Sequence, residues 1–157
     1  MKQHPLNALV RIAVTAAIYI AVTLAIAPLS FGAVQFRLSE ILTLLCFYKK
    51  DYCYALILGC AISNLFSPLG MLDMIFGVMS TIFSVVGIRY CKNLWTASLF
   101  PTFSMVFIAW EFALTGASFW FTFLTAAIGE FTVVTILGVP IFLYLQQNRF
   151  FQEKVLK

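Results

Sequence analysis

Charge is what this chain lacks. Of its 157 residues only 10% are Asp, Glu, Lys or Arg, where a soluble domain carries about 25%. That scarcity excludes an ordinary soluble domain. Histidine is almost missing too. The one His, His4, sits at the N-terminus, so neither a His-based metal site nor a catalytic triad can be assembled. The four cysteines, Cys46, Cys53, Cys60 and Cys91, form no CxxC pair. They lie in apolar segments or beside basic turns and read as small apolar residues, not as disulfides or metal ligands. There is no GxxxxGKS or GxxxxGKT phosphate loop, no HExxH and no GxSxG. The chain therefore offers no support for ATP hydrolysis or for an intramembrane enzyme, and no cofactor or metal is expected. No internal repeat, linker or low-complexity tract interrupts it, so residues 1–157 are expected to form one domain.

What is present is apolar: 62% of residues are hydrophobic and 17% aromatic. Runs of roughly 20 such residues cross a bilayer as a straight helix. Six candidate spans follow, at residues 9–28, about 38–48, 52 to about 66, 72–89, about 94–114 and 118 to about 145. The second and third are short and are expected to bend, tilt or stop short of one face. A polar tail, 146–157, closes the chain. The apolar run 12–29 is too long for the h-region of a signal peptide, about 7–15 residues, and is kept as a span. The fold class predicted is all-α, a polytopic membrane bundle of six transmembrane helices.

Six spans put both termini on one side. Lys2, Arg11, Lys49, Lys50, Arg89, Lys92, Arg149, Lys154 and Lys157 fall on that side, and only Arg37 falls opposite. Cytoplasmic loops carry the excess of Lys and Arg. The protein is thus expected in the cell membrane as a multi-pass chain with both termini cytoplasmic. The net charge of +4 becomes a topology signal, and nucleic acid is not a partner.

Asp51 and Glu153 fall on the cytoplasmic side. The other four acids, Glu40, Asp73, Glu111 and Glu130, converge on the outer half of the bundle. Glu130 is the deepest, about 18 Å along its helix at 1.5 Å per residue. Carboxylates inside a membrane are costly and usually face an interior cavity. Helix capping by Asp73 and an i,i+3 pairing of Glu40 with Arg37 are the structural alternatives. Trp110 and Trp120, with Phe36, Phe112 and Phe119, surround the acids either as an interfacial belt or as a platform for a planar ligand. Gln35 and Asn64 can add donors and acceptors. The polar segment 30–36 reads as a lid over this site. On the first span Ala13, Ala17, Ala21 and Ala25 recur every four residues. Such a stripe lets helices approach closely, either inside the bundle or at a partner subunit.

Two stretches carry a resemblance. They are Phe31-Gly-Ala-Val-Gln-Phe-Arg-Leu-Ser-Glu40 and Asn64-Leu-Phe-Ser-Pro-Leu-Gly-Met-Leu-Asp73, the latter followed by Met-Ile-Phe-Gly77. With six short spans and an alanine-striped first helix, the chain resembles the QueT family among the S-components of energy-coupling-factor (ECF) transporters. The resemblance implies a non-enzymatic binding subunit for a queuosine precursor such as 7-aminomethyl-7-deazaguanine. It implies a transmembrane coupling subunit and two cytoplasmic ATPase subunits as partners. A nucleobase-like substrate would be held by Gln35, Arg37, Glu40, Asn64, Asp73, Trp110, Glu111, Trp120 and Glu130, with Ala13, Ala17, Ala21 and Ala25 docking the partner. Two rivals stand beside it: another vitamin-like ligand, and a small stand-alone carrier driven by protons with Glu130 as relay. The missing repeats argue against the carrier.

Overall fold

The long apolar runs wind into helices, and the proline, glycine and charged turns fall between them. The computed structural model describes residues 5–31 and 36–156, and every regular element among them is helical. In chain order these are α1 (Pro5–Ala25), α2 (Ala27–Ser30), a 3-10 helix (Leu38–Phe47), α3 (Lys50–Asn64), α4 (Met71–Tyr90), α5 (Leu94–Ala97) and α6 (Leu99–Leu114). Then come α7 (Phe119–Glu130), a π-helical segment (Phe131–Gly138), α8 (Val139–Leu145), α9 (Arg149–Phe151) and a last π-type turn (Gln152–Leu156). Gln35 and most of the expected lid lie outside the described residues.

Four stretches are long and apolar enough to cross a membrane: Leu6–Ala25, Met71–Tyr90, Leu94–Leu114 and Phe119–Leu145. The expected second and third spans are shorter helices, with 10 residues in Leu38–Phe47 and 15 in Lys50–Asn64. The all-helical membrane class therefore stands, with four full-length candidates where the sequence predicts six spans. The 3-10 winding partly compensates for the short second element. At about 2.0 Å per residue, ten residues reach about 20 Å, against about 15 Å in an α-helix.

Side chains brace this helix within and at its C-terminal end. Thr43 Oγ1 donates to the Glu40 carbonyl at 2.6 Å. From α4, Arg89 donates to the carbonyls of Cys46 and Phe47 at 3.1 and 3.4 Å. Those carbonyls are the ones a helix C-terminus leaves without an internal partner. Against the 3-10 helix lies the π segment. It comes just before Pro140, which has no N–H to donate and whose ring crowds the carbonyl one turn back. Wider turns there relieve the crowding within a rod that runs on to Leu145.

The packing is apolar outside and mixed inside. Leu9, Val14, Tyr54, Phe103 and Phe121 are exposed, as lipid-facing side chains are. Tyr19, Leu44, Leu56, Ile88, Val133 and Val139 form the apolar core. Gly59 of α3 lets α1 come close, since a Cβ there would stand 3.1 Å from the Tyr19 ring. Tyr19 is thereby held in the interior. Ala13, Ala17, Ala21 and Ala25 lie on the other side of α1 and are exposed.

Candidate functional site

The site grows from the start of the 3-10 helix. At three residues per turn, positions i and i+3 stand directly in line. Arg37, Glu40 and Thr43 therefore share one edge, and Arg37 and Glu40 are both buried. Arg37 Nε donates to the Ser30 carbonyl at 3.1 Å, and its guanidinium lies 5.2 Å from the centre of the Phe31 ring. These contacts fix the side chain and leave Nη2 without a partner among the described residues. Glu40 accepts a hydrogen bond from the Tyr19 hydroxyl. One turn on, Thr23 Oγ1 meets Ser39 Oγ at 2.6 Å, which ties α1 to the 3-10 helix a second time.

The other three acids come from three different helices. Glu130 ends α7, is 1% exposed, and has one carboxylate oxygen with no partner among the described residues. Glu111, in the last turn of α6, is fully buried and faces the Asp73 side chain. Its strongest charged neighbour is Asp73, in the first turn of α4. Asn64, the last residue of α3, donates to the Asp73 carbonyl at 3.0 Å while its own Oδ1 stays unpartnered. Gly77 makes room for that amide, because a Cβ there would lie 2.1 Å from Asn64 Nδ2.

Arg37 is within electrostatic reach of Glu40, Asp73, Glu111 and Glu130. Among the described residues one cation thus faces four buried carboxyl groups. Burying charge without a partner is expensive. The arrangement is one that a donor-rich or cationic guest would relieve. Arg37, Glu40 and Glu130 line a cavity of about 10 Å³ together with Gly77, Ser80, Thr81, Ser84 and Ser104. That is space for about one water, whereas small-molecule sites measure about 300–1,000 Å³. A ring can enter only if the helices part. A larger recess, about 690 Å³, is elsewhere, between α1, the 3-10 helix and the C-terminal segment. It is open, mostly apolar, and contains none of the four acids.

The structure thus brings Arg37, Glu40 and Glu130 to one cavity and Asn64, Asp73 and Glu111 to an adjoining cluster. It does not bring the tryptophans there. Trp110 and Trp120 are 63% and 71% exposed and face outward. Several residues of this interior escaped sequence reasoning: Tyr19, Ser80, Ser84 and Ser104. The small and polar series Gly77, Ser80, Thr81, Ser84, at helical spacing in an apolar span, was the signal for part of it.

A family model described as QueT transporter matches residues 9–147. The queuosine precursor transporter QueT of Lactococcus lactis subsp. cremoris (strain MG1363) is 33% identical over 154 residues, covering 87% of this chain and 90% of that protein. No solved structure matches the chain. The match runs from the first membrane helix through the last, along most of both proteins, and the chain belongs to the QueT transporter family.

Proposed function

We propose that the chain is the substrate-binding membrane subunit of an ATP-driven importer, and that it takes up a queuosine precursor, 7-aminomethyl-7-deazaguanine. The observation that carries this reading is the gathering of Glu40, Asp73, Glu111 and Glu130 within reach of Arg37, with one Glu130 oxygen unpartnered among the described residues. A deazaguanine ring presents adjacent N–H donors that one carboxylate accepts in bidentate fashion. Its carbonyl needs a donor, and Arg37 Nη2 is unengaged among the described residues. The aminomethyl group is cationic and calls for a second carboxylate. A neutral or anionic vitamin would leave these acids uncompensated. The name of the Lactococcus relative, a queuosine precursor transporter, points the same way.

The binding site in this reading comprises Arg37, Glu40, Asn64, Asp73, Glu111 and Glu130. The energy source lies outside the chain, which has no phosphate loop. A transmembrane coupling subunit docks on α1, whose exposed alanines present a smooth face toward lipid. Both termini are cytoplasmic, following the nine-to-one division of Lys and Arg.

Uptake of labelled precursor by cells carrying the chain and its partners tests the reading. It should stop when the ATPase subunits are poisoned and persist when the proton gradient is collapsed. The reverse pattern would make the chain a proton-coupled carrier with Glu130 as relay.

A further inference from the structure

Beneath Glu130 the same cavity has a floor of hydroxyls. At the crossing of α4 and α6, Ser104 Oγ lies 2.8 Å from Ser80 Oγ and 2.8 Å from Ser84 Oγ. Ser80 also reaches the Ser104 carbonyl at 3.2 Å, Ser84 the Ser80 carbonyl at 2.9 Å, and Ser104 the Pro101 carbonyl at 2.7 Å. All three serines are buried. A hydroxyl has one proton and two lone pairs. Three protons therefore serve five contacts, and every partner is an oxygen. The cluster is short of donors and rich in acceptors. Arg37 is the one cationic donor on the cavity wall, and the two carboxylates on it, Glu40 and Glu130, add acceptors.

We propose that Ser80, Ser84 and Ser104 form the specificity surface of this site and select rings that bear an exocyclic amine. The inference rests on the substrate reading above. A carboxylate that accepts the ring N–H and one amine N–H leaves the second amine N–H pointing past it. A buried donor left without an acceptor costs binding energy. The serine floor, donor-poor and adjoining Glu130, supplies the acceptor. A ring without the amine offers the floor nothing. A ring with a carbonyl in the amine's place sets oxygen against oxygen.

The test compares two ligands by calorimetry on the purified full chain. One is 7-aminomethyl-7-deazaguanine; the other is its analogue without the exocyclic amine, 7-aminomethyl-7-deazahypoxanthine. The unmodified protein should prefer the first by about 10-fold or more. The double variant Ser80→Ala, Ser84→Ala should reduce that preference by about 2- to 10-fold, chiefly by weakening the first, and leave the share that the carboxylate's own bond to the amine supplies. Each serine has a helical carbonyl within reach of its proton, so alanine strands no obligatory partner, and thermal unfolding checks that the fold persists. If the double variant unfolds, the single substitution Ser84→Ala makes the same comparison, and an undiminished preference there overturns the proposal. Equal affinities in the unmodified protein overturn the proposal and leave the substrate reading intact. An undiminished preference in the folded variant also overturns it. If neither ligand binds, the substrate reading falls and this inference with it.

Discussion

Glu130→Gln is the perturbation that isolates the carboxylate most cleanly. Glu130 is 1% exposed and ends α7, with Glu40 and Arg37 as its charged neighbours. One of its oxygens has no partner among the described residues and so contributes no bond there to the empty protein. The amide keeps the shape. Folding should therefore be unharmed, and the unfolding temperature should hold. Binding should suffer instead. A hydrogen bond to a charged group is worth roughly 1.5–3 kcal/mol, about 10- to 150-fold in affinity. Calorimetry with 7-aminomethyl-7-deazaguanine measures the loss, and thermal unfolding measures the stability. An affinity within about twofold of the unmodified protein, a difference of roughly 0.4 kcal/mol, would refute the reasoning. So would a clear drop in unfolding temperature, which would make Glu130 a structural residue.

Three other outcomes follow from the same geometry. Ala17→Leu adds bulk to the exposed face of α1; precursor binding by the isolated chain should persist while co-purification with the coupling subunit and uptake are lost. Gly77→Ala drives a Cβ to 2.1 Å from Asn64 Nδ2; breaking the bond to the Asp73 carbonyl should destabilise the fold by about 1–3 kcal/mol in thermal unfolding. A reporter active only in the cytoplasm should work when fused after Lys50 and after Lys157, and an exterior-only reporter working at both would overturn the assigned topology.

The acids were legible in the sequence because charge is scarce inside apolar runs. Placing each run by the positive-inside pattern brought Glu40, Asp73, Glu111 and Glu130 to the outer half of the bundle, with Glu130 deepest, and the structure brings them within reach of Arg37. The two outward tryptophans follow from helix geometry as well. Trp110 is one residue from buried Glu111, about 100° away round the helix. Trp120 is ten residues before Glu130, about 80° off its face. The 3-10 winding of Leu38–Phe47 was not legible, because a ten-residue apolar run suits several local conformations. No sequence pattern singles out Tyr19; its packing on Gly59 and its bond to Glu40 set it apart. The serine floor depends on where α4 crosses α6, which no local pattern specifies. The exposure of the alanine stripe followed only once Ala16, Tyr19 and Thr23 were found on the buried side of α1.

The central claim is that this interior of carboxylates receives a cationic, donor-rich base. Native mass spectrometry of the purified chain tests it most directly, with 7-aminomethyl-7-deazaguanine offered in competition with neutral and anionic vitamins. The account expects a one-to-one complex with the deazaguanine and none with its competitors. A chain that stays empty, or that carries a neutral or anionic vitamin in its place, would contradict it.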